Sequence, residues 1–221
     1  MNHENKMRLL MCKEEPRLSE QKGILFILSG PSAVGKGTVR KELFKRNPDL
    51  VFSISATTRD IRPGEVDGVD YYYKTREEFE ELIKQDKLLE YAKFVNNYYG
   101  TPRQFVEEQL DKGRDVFLEI EVQGAMQVKD NFPEGVFIFL LPPSLEELEK
   151  RLFHRGTETH AMMQGRLRKA IEEIKMMDQY DYLIENDDVK KAASKVESII
   201  QCEHLRRHRT AHIYKKRLEV E

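Results

Sequence analysis

Three residues near the start of the chain have the types and spacing of a phosphate-binding loop. Gly30, Gly35 and Lys36 stand at the G-x-x-x-x-G-K spacing. Glycines allow backbone N–H groups to turn inward and wrap a polyphosphate, and the N-terminus of a following helix adds a positive dipole end. Lys36 supplies a full charge that can reach the β- and γ-phosphates. The residues that we expect to line the loop are Gly30, Pro31, Ser32, Ala33, Val34, Gly35, Lys36, Gly37 and Thr38.

A second set of polar residues lies further along the chain. Arg59 and Arg62 stand in a turn-rich segment and suit a doubly charged phosphate, because the guanidinium fork matches its oxygens. Glu90 lies in a largely apolar segment, and alternation predicts that it points inward. A buried carboxylate needs donors, such as the N1–H and N2 amino group of guanine. The full set is Ser55, Arg59, Arg62, Glu65, Tyr71, Glu90, Tyr99 and Thr101.

Each of these features also has a structural explanation. The phosphate loop could be a chance match, but the apolar run Ile24–Leu28 before it and the helical pattern after it argue against chance. Taken singly, each arginine also fits a surface charge, and Glu90 fits a charge that protects an edge strand. Only the whole set, following a phosphate loop, favours a binding site.

Strand and helix patterns alternate from Gly23 onward. Helices are predicted after Thr75 and Ser144, each followed three residues later by Glu, from Pro102 and from Val189. Strands alternating with helices of about 10–15 residues indicate the α/β class, with a parallel sheet covered by helices on both faces. The phosphate loop should then lie at the carboxyl edge of the sheet, where ligands bind. The predicted strands are Ile24–Leu28, Leu50–Ser55, Tyr71–Tyr73, Leu88–Val95, Asp115–Glu121, Gly135–Leu141 and Tyr182–Ile184.

Composition and charge indicate a globular protein of a reducing compartment. The chain has 221 residues, of which 39% are hydrophobic and 34% charged, and its formal net charge is −2. This charge gives no argument for nucleic acid or an anionic membrane, and no apolar run approaches the about 20 residues of a membrane span. Cys12 and Cys202 have no paired spacing. We therefore expect a cytoplasmic protein without a nucleic acid or membrane partner.

The two ends of the chain differ from the segment between them. Residues 1–22 should form a disordered tail, because their one apolar patch is short and flanked by charges. Residues 23–208 should form one domain, followed by a basic helix end at 209–221. A metal site on the last helix is disfavoured, because the basic surroundings of its three histidines would repel a cation. These histidines are His204, His208 and His212.

Over nearly its whole length, from about Gly23 to His204, the chain resembles the guanylate kinases, a family of P-loop nucleoside-monophosphate kinases. The shared stretches are GPSAVGKGT, SATTRDIRPGEVDGVDYYY, EYAKFVNNYYGTPR, LEIEVQGA, FIFLLPPS, RLFHRGTET and IENDD. The resemblance implies a GMP-binding insert at about residues 55–104 and a helical lid at about 151–170. It implies that the arginines and tyrosines of the second set hold the GMP phosphate, while Glu90, Ser55 and Thr101 read guanine.

The resemblance also implies an ATP side. It assigns Arg155 and Arg166 to a lid that closes over ATP, with Arg151 as a weaker candidate, and it places Asn186 near the adenine. The implied reaction is reversible, in-line phosphoryl transfer from ATP to GMP or dGMP with Mg²⁺. No covalent intermediate or general base is needed. The expected catalytic residues are Lys36, Arg59, Arg155 and Arg166.

The chain departs from the family pattern at a few positions. Ala33 stands where glycine is usual, so its methyl group must fit the loop's backbone geometry. Gly37 replaces the Ser or Thr that often holds Mg²⁺. In such kinases the metal relies on ATP oxygens and water, and Thr38 is the nearest remaining hydroxyl. Glu121 stands where Asp is frequent and, like Glu119, could contact GMP, hold Mg²⁺ through water, or be a structural acid.

Two rival functions and the oligomeric state stay open at this level. One rival is a kinase for another monophosphate, such as AMP or dTMP. The other is a catalytically inactive, guanylate-kinase-like interaction module, which the presence of Lys36 disfavours. The sequence allows a monomer or a homodimer.

Overall fold

The computed structural model describes residues 22–94, 96–153 and 160–220. The predicted tail therefore lies outside the described residues, except for Lys22. The strands are β1 Leu25–Ser29, β2 Val51–Phe52, β3 Ala56–Thr57, β4 Tyr72–Tyr73, β5 Leu88–Phe94, β6 Asn97–Pro102, β7 Val116–Glu119, β8 Val136–Leu141 and β9 Tyr182–Glu185. The helices are α1 Lys36–Arg46, α2 Arg76–Lys84, α3 Arg103–Asp111, α4 Val122–Asn131, α5 Leu145–Phe153, α6 His160–Ile174, α7 Val189–His204 and α8 Arg207–Leu218, and Lys175–Gln179 is a 3₁₀ helix.

The main sheet has five strands in the order β2-β7-β1-β8-β9, and its neighbouring strands are parallel. Side chains of β1 alternate between two cores, because successive residues of a strand face opposite sides. Phe26 and Leu28 pack with α1 and α7, whereas Leu25 and Ile27 pack with α3 and α4. This arrangement confirms the prediction of a parallel sheet with helices on both faces.

A second sheet, in the order β4-β3-β6-β5, was not predicted as a separate unit. The predicted strand Leu50–Ser55 is wrong beyond Phe52, because the chain leaves the main sheet there and Ala56 pairs with Gly100 of β6. Strand β6 itself was missed, and it forms an antiparallel pair with β5. This small sheet has its own core, built from Ala56, Phe79 and Leu88.

Local signals at the helix starts are confirmed in two cases and corrected in two. Thr75 Oγ1 accepts from the Glu78 N–H at 3.1 Å, and the Glu78 carboxylate accepts from the Thr75 N–H at 2.8 Å. These two bonds form the predicted capping box. Ser144 likewise caps α5 through the Glu147 N–H. Pro102 is both the last residue of β6 and the N-cap residue of α3, so the helix predicted from Pro102 begins one residue later, at Arg103. The strand predicted at Asp115–Glu121 stops at Glu119, because Glu121 already caps α4.

The C-terminal helices are tied to the main sheet. His204, at the end of α7, bonds through Nε2 to Asp115 at 2.7 Å, and the other oxygen of Asp115 accepts from the Ile24 N–H at 2.8 Å. His204 is therefore bonded to the edge of the main sheet. The prediction that it shares one helix with His208 and His212 is wrong, because α7 ends at His204 and α8 begins at Arg207. Within the described ranges, no helix is long and apolar enough to cross a membrane.

Candidate active site

The phosphate loop joins β1 to α1 at the carboxyl edge of the main sheet, as predicted. Gly30 has a φ of 147° and Gly35 a φ of 99°. A β-carbon at Gly30 would lie 2.5 Å from the Leu140 carbonyl oxygen, and one at Gly35 would lie 2.6 Å from Asn186 Nδ2, so both positions require glycine. Ala33 has a φ of 65°, a left-handed conformation that costs a side chain about 1 kcal/mol. The loop therefore holds its curved shape despite the Ala33 methyl group.

Lys36 folds back over its own loop. Its ammonium group donates to the Gly30 carbonyl at 2.7 Å and the Pro31 carbonyl at 3.4 Å, and it lies 3.2 Å from a Glu121 carboxylate oxygen. The side chain of Lys36 is 9% exposed, whereas that of Glu121 is 60% exposed. Lys36 is thus held at the loop by two backbone carbonyls and one largely exposed carboxylate, which a polyphosphate could replace.

Glu119 has a different partner from Glu121. Arg40 Nε donates to Glu119 at 2.6 Å, and the Arg40 guanidinium stacks on the Phe52 ring at 4.3 Å. A β-carbon at Gly37 would come within 3.3 Å of Glu119. Glu119 therefore joins the end of β7 to helix α1, beside the loop, which is a structural contact. Arg40 was not among the predicted site residues; its place one helical turn after Lys36 is the signal that could have identified it.

Glu65 organises the predicted phosphate-binding residues of the second sheet. It accepts from Arg59 Nη2 at 2.8 Å, from the Arg62 N–H at 2.8 Å and from the Tyr73 hydroxyl at 2.7 Å. These donors, Arg59 first, lower the pKa of Glu65 to about 2. The same ion pair raises the pKa of Arg59. Arg59 is therefore held, charged, in a fixed position. Tyr73 was not predicted individually, although it lies two residues after Tyr71.

Aromatic rings surround this arginine. The Arg59 guanidinium lies 5.4 Å from the Tyr71 ring centroid and 5.9 Å from that of Tyr73. The Tyr71 and Tyr99 rings meet edge to face at 6.0 Å, and burial raises the pKa of Tyr71, so its hydroxyl stays a neutral donor. The structure thus brings together Arg59, Glu65, Tyr71 and Tyr99.

Glu90 points inward, as predicted, and is 6% exposed. Its carboxylate accepts from the Thr101 hydroxyl at 2.7 Å. Burial raises the pKa of Glu90 to about 7, against the opposing effect of the Thr101 bonds. A β-carbon at Gly124 of α4 would lie 2.7 Å from Glu90 Oε2, so this glycine makes room for the carboxylate.

The edge of β5 beside Glu90 is covered by helix α4. Gln127 accepts from the Tyr91 N–H at 3.1 Å and donates to the Tyr91 carbonyl at 2.9 Å. The edge-protecting role weighed for Glu90 is therefore wrong, because Gln127 satisfies that backbone while Glu90 is buried. Ser55, the third predicted guanine contact, is half-buried, and its carbonyl accepts from the Tyr72 N–H at 2.9 Å.

Predicted ATP-side residues converge on the phosphate loop. Arg166 of α6 donates to the Ser32 hydroxyl at 3.0 Å. Arg151 of α5 donates to the Val34 carbonyl at 3.3 Å and the Asn186 carbonyl at 3.2 Å. Asn186 also donates to the Val34 carbonyl, at 2.8 Å. The remaining predicted lid residue, Arg155, lies outside the described residues.

The residues around the loop bear on where a metal ion could bind. The described part of the chain has no group of three or more His, Cys, Asp or Glu side chains that could hold a metal. The Thr38 hydroxyl is exposed in the first turn of α1, and the loop supplies a cradle for phosphates. Thr38 is therefore the loop residue whose hydroxyl could contact Mg²⁺ bound to a nucleotide.

Comparison with known proteins explains this combination of loop and second sheet. The family model for guanylate kinase matches residues 22–203. A guanylate kinase of Oceanobacillus iheyensis is 67% identical over 200 residues, which cover 90% of this chain and 97% of the relative. The chain belongs to the guanylate kinase family. A guanylate kinase of Bacillus subtilis is 57% identical over 203 residues, or 91% of this chain and 100% of the relative.

Solved structures agree with this assignment. The crystal structure of guanylate kinase from Anaplasma phagocytophilum has a TM-score of 0.71 and 34% identity, and the match covers 91% of this chain and 98% of that one. Enzymes of the guanylate kinase family transfer a phosphoryl group from ATP to GMP, and this chain is a nucleotide-binding kinase of that family. The phosphate loop and Lys36 argue against an inactive interaction module.

Proposed function

We propose that this chain transfers the γ-phosphoryl group of ATP to GMP or dGMP, with ATP on the phosphate loop and GMP on the second sheet. The observation that carries this proposal is the buried pair of Glu90 and Thr101, because a buried carboxylate at this place needs donors of the kind that a guanine edge offers. We propose a GMP-binding region at about residues 55–104 and a lid at about 151–170 within a domain spanning 23–208.

On the ATP side, the loop amides and Lys36 bind the phosphates. Lys36 leaves the Gly30 carbonyl and Glu121 for the β- and γ-phosphates, where its charge stabilises the transferring group. Further positive charge comes from Arg155 and from Arg166, which already contacts Ser32. The loop backbone is held by bonds from Arg151 and Asn186 to the Val34 carbonyl. Mg²⁺, when bound with ATP, neutralises charge on the phosphate oxygens.

On the GMP side, Arg59 and Arg62 hold the attacking phosphate together with Tyr71 and Tyr99. Glu65 keeps Arg59 aimed while remaining ionised itself, as its lowered pKa requires. The attacking oxygen is already anionic, so no side chain has to remove a proton. Catalysis is positioning and charge neutralisation.

Guanine is read by Glu90, with Thr101 and Ser55. In the unliganded protein, burial leaves the carboxyl of Glu90 poised between its charged and neutral forms. The N1–H and N2 amino donors of guanine favour the charged form. Adenine offers neither donor, so it would leave a buried charge unpaired.

The lid and the GMP-binding sheet must close before transfer, because water in the site would hydrolyse ATP. We propose small-molecule partners alone, ATP and GMP or dGMP, and a cytoplasmic protein that acts as a monomer or homodimer. Glu119 and Glu121 lie beside the loop, and of the two Glu121 is the better placed to contact substrate, because Arg40 does not bind it.

A coupled kinase assay on the purified chain tests this function. ADP formation is measured with ATP and Mg²⁺ against GMP, dGMP, AMP and dTMP. We expect turnover with GMP and dGMP, and a kcat/KM for AMP lower by about 10⁴-fold. Comparable rates with AMP or dTMP would contradict the guanine assignment, and no turnover with any of the four would contradict the kinase assignment.

A further inference from the structure

Helix α6 brings a second side chain to the phosphate loop besides Arg166. Glu173 lies two turns further along the same helix, so the two residues share a face. It is 9% exposed, which is unusual for a carboxylate. Its Oε2 atom is buried and has no hydrogen-bond partner. The proposed reaction does not use this residue.

Charged and polar groups from its own helix, from the phosphate loop and from the start of α4 act on Glu173. Lys169 of its own helix lies 3.7 Å from Oε1. Burial and the Glu121 carboxylate raise the pKa of Glu173, while Lys169, Lys36 and the Ser32 backbone N–H lower it. The buried Tyr180 hydroxyl is affected by the same two carboxylates. Burial first, and then the charges of Glu173 and Glu121, raise its pKa, whereas Ser29 lowers it.

Two of the groups that support a negative charge on Glu173 are the groups that bind phosphate. Lys36 and the Ser32 amide both belong to the phosphate loop. A bound polyphosphate draws them to itself and adds negative charge nearby. Glu173 cannot easily move away, because α6 is packed there through Ala170 against Leu148 and Leu152. A buried carboxylate that loses its donors is neutralised rather than left charged.

We propose that Glu173 couples nucleotide binding to proton uptake: its carboxylate takes one proton from solvent when phosphates enter the loop. The step is the addition of a solvent proton to a carboxylate oxygen, giving a neutral carboxylic acid, and no other bond changes. Glu173 is therefore a positioning residue: as a neutral acid, it allows α6 to stay packed beside the bound phosphates without adding a second negative charge there. This inference rests on the proposed ATP site.

The direction of the pH effect follows from the linkage between binding and protonation. The bound state holds the proton to higher pH than the free state, so nucleotide affinity falls as pH rises through the interval between the two pKa values. A variant with glutamine at this position carries no titrating group and lacks this contribution.

Titration calorimetry with Mg–ADP, without GMP, tests the proposal near neutral pH. The binding enthalpy is measured in buffers of different ionisation enthalpy, and its slope gives the protons taken up per ADP. The chain and Glu173→Gln are compared with Glu172→Gln, which alters the exposed neighbour that binds Lys175. Protons exchanged by ADP itself are common to all three proteins and cancel in the difference.

We expect an uptake of up to one proton that is lost in Glu173→Gln and kept in Glu172→Gln. Equal proton numbers in all three proteins would overturn the proposal. If Glu173→Gln does not fold, Glu173→Ala takes its place with the same expected loss of uptake, and zero uptake by the unaltered chain overturns the proposal in either case. Absence of ADP binding to the unaltered chain would contradict the proposed ATP site itself, which is a distinguishable result.

Discussion

The charge of Lys36 lies at the candidate site but contributes little to the stability of the fold. Its partners are carbonyls of its own loop and one largely exposed carboxylate, so removal leaves no buried unpaired charge. We predict that Lys36→Met lowers kcat by about a hundredfold or more, because a charge on the transferring group is lost. Thermal unfolding should shift by only a few degrees.

The matched control for Lys36→Met is Lys41→Met, an exposed position on the same helix. This control should keep its kcat. Retention of more than about a tenth of kcat by Lys36→Met would mean that the loop does not bind the transferred phosphate.

We propose that Glu65 acts on GMP through Arg59, to which it is bonded. We predict that Glu65→Gln raises the KM for GMP by about tenfold while the KM for ATP stays nearly unchanged, because a charge-assisted bond that aims Arg59 is lost. In the unaltered chain, the lowered pKa means that this bond is present above the ordinary pKa of glutamate and is lost as pH falls toward about 2. Equal changes in both KM values would show that Glu65 has only a general structural role.

The raised pKa of Glu90 predicts a conflict between stability and activity. A carboxyl whose pKa is higher in the folded than in the unfolded state contributes stability below its unfolded pKa and loses it as pH rises through about 7. Above neutral pH, Glu90→Gln should therefore stabilise the unliganded protein, by up to about 3 kcal/mol. The check is thermal unfolding across the pH range, beside Glu107→Gln, an exposed control.

The thermal unfolding midpoint of Glu90→Gln should rise relative to that control above neutral pH. If it does not, then burial does not disfavour the charged form of Glu90.

At the scale of secondary structure, the strands and caps that depend on local pattern could be predicted, and the second sheet could not. The buried strands of the main sheet are almost wholly apolar, and each of them is predicted as a strand. Strand β6, NYYGTP, carries polar and aromatic residues without alternation, because Tyr98 packs against the core of the small sheet whereas Thr101 bonds to Glu90. A turn at Asn96, with a φ of 66°, and a bulge near Glu90 complete this hairpin, and neither has a strong sequence signal.

Contact between helix α4 and strand β5 gives an element-scale prediction. Gly124→Ala should lower kcat/KM for GMP by about tenfold or more, because the added methyl group would lie 2.7 Å from Glu90 Oε2 and displace it. The control is the KM for ATP of the same variant, which should stay nearly unchanged because the three atoms nearest to the added methyl group all belong to Glu90. A loss confined to the GMP kinetics isolates the displacement of Glu90.

Unchanged GMP kinetics in Gly124→Ala would show that the position of Glu90 does not matter for substrate.

At the scale of the whole molecule, residues from separate elements meet at the carboxyl edge of the main sheet and on the small sheet beside it. The phosphate loop could be assigned to this edge from the sequence, because its motif has a fixed spacing. Arg40 and Glu173 could not, because their roles depend on which elements fold against them. Glu173 is one of many acids on helical segments, and only the packing of α6 against the loop distinguishes it.

Measuring kcat/KM for GMP and for AMP, on the unaltered chain and on Glu90→Gln, tests most directly whether guanine is read by a buried carboxylate. The account predicts that Glu90→Gln lowers the GMP value by about 10²-fold or more, because a charge-assisted pair is lost. The AMP value should change far less, so the GMP/AMP ratio narrows. An unchanged ratio would contradict the account, because guanine would then be recognised without Glu90.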